Sequence, residues 1–574
     1  MKKIILLLIC SLTLSGLYAQ KTVQGIVTGE GEALPGVNVL LKGTERGVVT
    51  NIDGSYSIEV PGEDAVLQFS YIGFQPKEVV VGNQSQIDVI LETDLLSLQE
   101  VIVVGYGTTT KKEATGAVTA VNAERIESLN PQRVDQALQG QVAGVNINAA
   151  SGSPGGSFNI RIRGITTNGN NNPLILVDGV RYDAAGLNAL NPNDVESINV
   201  LKDATAGIYG VQAANGVIMI TTKKGKLNTK PKLNFSGYYG VQETSNKLNL
   251  LNAREYAILK NEAFAAGNQT PPFNNVELGE GTDWQNQVFQ TAPIQNYNLT
   301  ISGGSDKTSY SFGGSYLDQE GIVGGPQASF RRLNARLNFV TELAPRVKLE
   351  NVLLYTNEQR KTLPEFSIGS VLYNAINAYP TEGVFQQDGS YSYLEQVNDV
   401  INPVAQMANT FNDNVTNKIV GKQEITYDID DNFTVTGRAG YNYAIYDGKF
   451  FSPLIYYGPG KAQNTALDAN LTPVDVNIIE DINIPRLSSV TETRQTFLDY
   501  NFEAFVNYQK VFNQAHNFKA TLGASLFGIL NSAVDGTAFD IPYNSWDFAD
   551  ISAADQNNLL NNSNSWQDRS RLLS

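Results

Sequence analysis

The chain offers few residues for covalent chemistry. Its 574 residues include one histidine, His516, and one cysteine, Cys10. A Cys/His metal site, a Cys–His nucleophile or a disulfide framework each needs more than that. No nucleophile stands beside a base, so neither an enzyme activity nor a cofactor or metal is expected. Three kinds of non-covalent chemistry remain. The first is backbone pairing. Glu100-Val101-Ile102-Val103-Val104-Gly105-Tyr106-Gly107 is a β-prone run between the polar stretch Asp94–Gln99 and a Thr/Lys-rich stretch ending at Glu113. With no partner strand nearby, its backbone donors and acceptors are free to extend another protein's sheet. The other reading is the last strand of the preceding domain. The second is ion pairing. Arg161 and Arg163 share one face of a predicted strand and can grip carboxylates of a surrounding wall, or form an ordinary ion pair. The third is stacking. Tyr456, Tyr457 and Trp566 lie in stretches rich in amides and aromatics, which suit sugars, suit peptides, or are simply loop residues.

Composition narrows the classes. There are 41 basic and 57 acidic residues, a net charge of −16 and a pI near 4.7. An acidic chain does not neutralise phosphates, so no nucleic-acid partner is expected. Only 17% of residues are charged, and 26 Tyr and 24 Phe accompany 51 Gly, which fits an all-β chain. One long apolar run rules out a bundle of membrane helices. That run is Ile4–Leu14, preceded by Lys2 and Lys3 and followed by Leu17-Tyr18-Ala19-Gln20. It reads as a secretory signal peptide over residues 1–19, cleaved after Ala19. Ile9 precedes Cys10 where a lipoprotein signal needs a small residue, so Cys10 leaves with the signal.

These residues need elements to position them. Residues 20–93 give predicted strands at Thr22–Val27, Gly36–Lys42, Ser55–Val60, Ala65–Tyr71, Lys77–Val81 and Gln86–Leu91, with Asn51-Ile52-Asp53-Gly54 as a hairpin signal. Such spacing predicts a β-sandwich. The run Gly25-Ile26-Val27, Leu34-Pro35-Gly36-Val37-Asn38-Val39 and Asn51–Tyr56 resembles the regulatory-like sandwich of carboxypeptidases, which implies a fold only. Residues 94–114 form a linker that carries the β-prone run. That run resembles the TonB box of outer-membrane active transporters. The resemblance implies that Glu100, Val101, Ile102, Val103, Val104, Gly105 and Tyr106 bind TonB.

Residues 115–226 mix helix and strand: Arg133–Leu138 reads as a helix, and Phe158–Gly164, Leu174–Val180 and Val217–Lys223 as strands. Three stretches, Ser157–Gly164, Pro173–Val180 and Asp194–Gly210 with its continuation Asn215–Lys223, together resemble the plug of TonB-dependent receptors. With the sandwich and box upstream, the set resembles the SusC/RagA family. The residues that carry the plug motif are Arg161, Arg163, Gly164, Asp178, Gly179, Glu196, Lys202, Tyr209 and Gly210. The glycines stand where turns or close backbone approach are needed. Glu196 and Lys202 fit internal plug contacts. The loop Thr166–Asn172 is either an apical contact or a plain loop.

Residues 227–574 change to long two-residue alternation. Leu233, Phe235, Tyr239 and Val241 alternate with Asn234, Ser236, Tyr238 and Gln242. Leu333, Ala335, Leu337 and Phe339 alternate with Arg332, Asn334, Arg336 and Asn338. Nine such strands can be counted in the sequence, each long enough to cross a bilayer when tilted. Their connections alternate between long and short without a break, with Asp318–Ser329 among the long ones and a last loop from about Gly528 to Asp568. Outer-membrane barrels alternate in this way and soluble sandwiches have no reason to. Arg569–Ser574 reads as the start of a tenth strand. Plugged transporters have about 22 strands, and open sheet edges are not tolerated in lipid. The expectation is therefore the N-terminal portion of a protein of roughly 950–1000 residues. The expected fold class is mainly β: an incomplete transmembrane antiparallel β-barrel, an α+β plug and the N-terminal sandwich.

The resemblance also implies a function. It is TonB-dependent import of a large nutrient, an oligosaccharide or oligopeptide, across the outer membrane of a Gram-negative bacterium. The implied partners are TonB with ExbB and ExbD, a SusD-like surface lipoprotein, and outer-membrane lipid. The competing readings are a siderophore or cobalamin receptor, which lacks the extra sandwich, and a passive porin or adhesin-type barrel, which lacks a force-coupling segment.

Overall fold

The computed structural model describes residues 21–91, 101–104, 107–110, 118–202, 209–461, 488–555 and 561–573, except 30, 45, 72–73, 75, 130, 183–184, 211–212, 459–460 and 513–515. The proposed signal peptide lies outside them. The chain divides into two compact units, with the boundary within residues 105–115.

The first unit is a sandwich of two four-stranded sheets. In one, β1 (Lys21–Gly29) pairs antiparallel with β2 (Glu32–Ala33) and β5 (Ser55–Val60), and parallel with β8 (Val89–Leu91). The other runs β4 (Gly47–Val49), β3 (Asn38–Leu41), β6 (Val66–Ser70), β7 (Lys77–Val80). Period-two burial puts Val23, Val27, Ile58, Val39, Leu67 and Phe69 into one core. The six expected strands are present, joined by the short β2 and β4. Beyond the sandwich, β9 (Val101–Val104) pairs with β10 (Gly107–Thr110) in a two-stranded sheet.

The second unit begins with a five-stranded sheet, in the order β11 (Val118–Asn122), β16 (Val195–Leu201), β17 (Val217–Thr222), β14 (Leu174–Val177), β15 (Val180–Tyr182). Helices α1 (Ala123–Leu129) and α2 (Val134–Leu138) and the hairpin β12 (Val145–Ala149)–β13 (Phe158–Ile162) complete it. The continuous burial of β14 and β17 matches central strands covered on both faces.

Around this domain runs a ten-stranded antiparallel sheet in sequence order. Its strands are β18 (Thr229–Gln242), β19 (Ala292–Gly304), β20 (Thr308–Gly321), β21 (Gly325–Ala344), β22 (Val347–Lys361), β23 (Phe411–Asp428), β24 (Phe433–Ser452), β25 (Ser489–Phe512), β26 (His516–Phe539) and β27 (Asn562–Leu573). Among the described residues, β18 pairs only with β19 and β27 only with β26. Alternation sets the faces as expected. Leu233, Phe235, Tyr239 and Val241 point outward and are 64–70% exposed, whereas Arg332, Asn334, Arg336 and Asn338 point inward and are buried. The inner face shares a core with the plug, through Val352, Leu354 and Val420.

Two expectations about the barrel are corrected. The stretch Asp318–Ser329 is not a long loop. β20 and β21 continue through it, with Gln319 opposite Phe330 and Glu320 opposite Ser329, and reverse at Ile322–Gly324. Gly324 and Gly325 have positive φ there, which permits the tight reversal. The long–short alternation is therefore broken once. The loop expected from Gly528 to Asp568 is shorter, spanning only residues 540–561, because β26 extends to Phe539 and β27 starts at Asn562. Small and polar residues such as Gly528, Ser532, Ala533 and Asn562–Ser565 interrupt the apolar positions there, so the alternation that marks a strand fades while the backbone ladder continues.

Candidate functional site

The geometry that matters lies where the inner barrel face holds the plug. Arg336 on β21 donates from Nε to Asp194 Oδ1 at 2.8 Å, and both side chains are almost fully buried (0% and 6% exposed). Its other nitrogens reach Lys223 O and Ser311 Oγ. Arg332 Nη1 donates to Asn188 O at 2.6 Å, Asn334 Nδ2 to Ala189 O at 2.6 Å, and Thr356 Oγ1 to the same carbonyl at 2.9 Å. Asn191 Nδ2 donates to Asn298 Oδ1 at 2.9 Å. Three inward positions of β21, two residues apart, thus hold the plug segment from Asn188 to Asp194. Two short 3₁₀ turns, Ala185–Ala189 and Pro192–Asp194, aim its carbonyls and the Asp194 carboxylate at the wall.

A second set of contacts alternates in sign across four strands. Glu350 Oε1 accepts from Lys224 at 2.7 Å and Lys422 at 2.6 Å. Lys422 lies 3.7 Å from Glu424, whose Oε2 accepts from Arg438 Nε at 2.6 Å, and Arg438 Nη1 reaches Glu503 at 2.8 Å. The plug's β14–β15 turn seats on this ladder. Asp178 and Gly179 both have positive φ, the requirement of a two-residue type I′ hairpin. A Cβ on Gly179 would lie 2.7 Å from Arg438 Nη1, so the close approach needs glycine. Asp178 Oδ2 accepts from Thr222 Oγ1 at 2.7 Å, joining the turn to β17. Lys418 lies 3.7 Å over the Tyr182 ring.

Of the other plug-motif residues, Arg161 and Lys202 make hydrogen bonds within the plug. Arg161 Nη1 donates to Asn172 Oδ1 at 2.6 Å and to Ile160 O at 2.9 Å. Arg163 lies just past the end of β13 with φ 56°, beside Gly164 at φ 96°. Arg161 thus bonds Asn172 and its own strand and not a wall carboxylate; the plug cation that does reach the wall is Lys224, on Glu350, while Arg332 and Arg336 of the wall donate to plug acceptors. Glu196 is exposed on β16. Lys202 Nζ donates to Ala143 O at 2.7 Å, Tyr209 OH lies 3.7 Å from Met219 Sδ, and Gly210 has φ 66°. The Thr166–Asn172 loop is internally built, with Asn171 Oδ1 accepting from the backbone N–H groups of Thr166 and Thr167.

The β-prone run has a local partner after all, since β9 pairs with β10. A two-stranded ribbon still presents strand edges that can accept a further strand. Glu100, Gly105 and Tyr106 lie outside the described residues. Of the three aromatic candidates, Tyr457 is 5% exposed in a core with Ile401 and Ala405, and burial pushes its phenol upward. It offers no open face. Tyr456 packs edge-on against Tyr393 at 5.1 Å. Trp566 is a strand residue opposite Ala533 on β26, 42% exposed.

The family model for the TonB-dependent receptor plug domain matches residues 110–217, and that for the CarboxypepD_reg-like domain matches residues 23–103. TonB-dependent receptor P26 of Formosa agariphila is 33% identical over 94% of this chain and 52% of its own length. TonB-dependent receptor SusC of Bacteroides thetaiotaomicron is 35% identical over 68% of this chain and 39% of its own length. Sequence and domain order place the chain among SusC/RagA-type TonB-dependent receptors. The fold agrees: the RagAB peptide importer in its open-open state superposes with a TM-score of 0.68 at 22% identity, covering 83% of this chain and 54% of that one. The chain spans about half the length of P26. In this SusC/RagA-type chain the anchored plug, the charge ladder and the ribbon before the plug form the candidate machinery. Sequence alternation had placed Arg332, Asn334 and Arg336 on the polar face without revealing what that face holds.

Proposed function

We propose that the protein imports a large nutrient, an oligosaccharide or oligopeptide, across the outer membrane of a Gram-negative bacterium, driven by TonB with ExbB and ExbD. A SusD-like surface lipoprotein closes over the cargo. No covalent catalysis takes part. In this reading Glu100–Tyr106 is the TonB-binding segment, and TonB adds to the edge of β9. The names of SusC and of the RagAB peptide importer support the class of activity.

The observation that carries the reading is the position of β9–β10 directly before β11, which is the edge strand of the plug sheet and pairs there only with β16 among the described residues. Force on the ribbon arrives first at β11. The segment from Asn188 to Asp194 is held to the wall by Arg332, Asn334 and Arg336. A pull therefore meets one weakly held strand ahead of a clamped body. The test is deletion of residues 100–107 in the protein as its host makes it, with uptake measured beside the amount of folded protein in the outer membrane. Loss of uptake with normal assembly is expected. Normal uptake sinks the proposal.

A further inference from the structure

A partly open apolar cavity of about 140 Å³ lies at the end of the barrel that carries the long connections. Its walls come from three connections and from the plug. Phe289 precedes β19, Ile322 and Val323 form the β20–β21 reversal, and Leu363, Val371 and Leu372 follow β22. The plug contributes Ser151–Pro154, the tip of the β12–β13 hairpin. Leu363 and Val371 are buried, while Leu372 is 37% exposed at the rim.

The lining decides what fits. One carboxylate, Glu365, borders the cavity, and its Oε1 is engaged by Ser153 Oγ at 2.5 Å and Arg360 Nη2 at 3.1 Å. Ser151 and Ser153 hydroxyls are 2.9 Å apart and bond each other. A sugar would have to bury hydroxyls among Phe289, Ile322, Val323 and Leu363 with few partners, which is unfavourable. An apolar cavity of about 150 Å³ accommodates a six-carbon ring such as benzene. This one has the size for a branched aliphatic or phenyl side chain.

We propose that this cavity is a side-chain subsite of the cargo site, and that the cargo is an oligopeptide carrying a leucine- or phenylalanine-type side chain. The proposal takes its cargo from the import reading and narrows it from two substrate classes to one. The plug wall gives the subsite a further consequence. Ser153 Oγ bonds Glu365, and Arg360 Nε bonds Pro154 O at 3.0 Å, so an occupant packs on the loop that ties plug tip to barrel. Gly155 lies against Phe330 with no room for a side chain, which fixes that loop beside the cavity.

The experiment uses the protein as its host makes it, purified in detergent without TonB. Calorimetric binding is measured for Gly-Gly-Phe-Gly-Gly, Gly-Gly-Asn-Gly-Gly and maltoheptaose. The phenylalanine peptide is expected to bind about tenfold or more tightly than the asparagine peptide, the discrimination that burying one apolar side chain supports. Filling the cavity from opposite sides by Val323→Trp or by Leu372→Trp should abolish that preference. Leu372 is partly exposed, so its variant tests the idea even where Val323→Trp folds poorly. Hydrogen exchange at residues 151–156 should slow with the phenylalanine peptide and not with the asparagine peptide. Equal binding of the two peptides overturns the proposal, as does maltoheptaose binding that the tryptophan variants abolish. The import reading fails separately, through the 100–107 deletion, which leaves this detergent measurement unaffected.

Discussion

At the level of single residues, the Arg336–Asp194 pair makes the sharpest claim about how the plug is retained. Both side chains are out of water, and removing one partner of a buried pair costs about 3–5 kcal/mol because the other stays charged and unpaired. Arg336→Met should therefore lower the urea concentration at which the plug leaves the barrel, read as channel opening in planar bilayers. Asp194→Leu combined with Arg336→Met should recover part of the loss. An unchanged opening threshold in the single variant would show that the pair does not hold the plug. A second residue acts in the sandwich. Tyr56 OH donates to Ile87 O at 2.8 Å, and burial, with Asp88 nearby, pushes its phenol up to about 12. The folded state favours the protonated phenol, so this contribution is complete below pH about 10 and is lost as pH rises towards about 12. Tyr56→Phe should cost about 1 kcal/mol at neutral pH and flatten the alkaline fall in stability, followed by urea denaturation at a series of pH values. Sequence showed Arg332, Asn334 and Arg336 on the polar face of a strand. It did not show that their partners are plug carbonyls and Asp194, about 140 positions away, because alternation reports a face and says nothing about what lies opposite.

Elements were legible to different degrees, and the reason is physical. The outward residues of β18 and β21 are large and apolar, so period two was plain from Leu233 to Val241 and from Leu333 to Phe339. β26 carries Gly523, Ala524, Gly528, Ser532 and Ala533, and β27 carries Asn562 to Ser565, so the pattern fades although the ladder persists. Gly179 was legible as a turn or close-approach glycine, but Leu174–Val180 read as one strand, whereas the chain reverses at Asp178-Gly179, both at positive φ. The contact of Gly179 with Arg438 was not legible. Gly179→Ala should thus be worse than a turn defect alone: it strains φ and drives a methyl to 2.7 Å from Arg438 Nη1. A loss of about 2 kcal/mol or more in plug retention is expected in the same bilayer assay. Gly437→Ala, where a methyl meets nothing within 4 Å, is the control and should match the parent. The ribbon β9–β10 carries the remaining element-scale prediction. Val103→Pro removes one backbone donor from β9 and fixes φ, which strand addition does not tolerate. TonB capture by the purified protein should fall to background while assembly is unchanged. Retained capture would place the TonB contact elsewhere.

For the whole molecule, the ten-stranded sheet has one face held against the plug and one face that must meet lipid, and one substitution position apart tells them apart. Leu337 on β21 is outward and 42% exposed, between Ala335 and Phe339, while Asn338 beside it is fully buried against the plug side. An arginine on the lipid face near the bilayer midplane costs about 2–4 kcal/mol. In Leu337→Arg that cost falls on assembly, because insertion is the step that brings position 337 into hydrocarbon. The folded fraction, read as heat-modifiable migration on a gel, should drop. Plug retention in the molecules that do insert should stay near the parent value, since Leu337 touches nothing on the inner face. Asn338→Leu should do the reverse: it leaves the lipid face alone and changes a position buried on the inner face, so it disturbs retention more than insertion. The charge ladder sharpens the contrast. Glu350, Lys422, Glu424, Arg438 and Glu503 all stand on the inner face, where each has a partner, and an inner charge is therefore compatible with a lipid-spanning sheet. If Leu337→Arg and Asn338→Leu instead impaired insertion equally, the two faces would not differ in environment, and the sheet would not be a membrane wall around a plug.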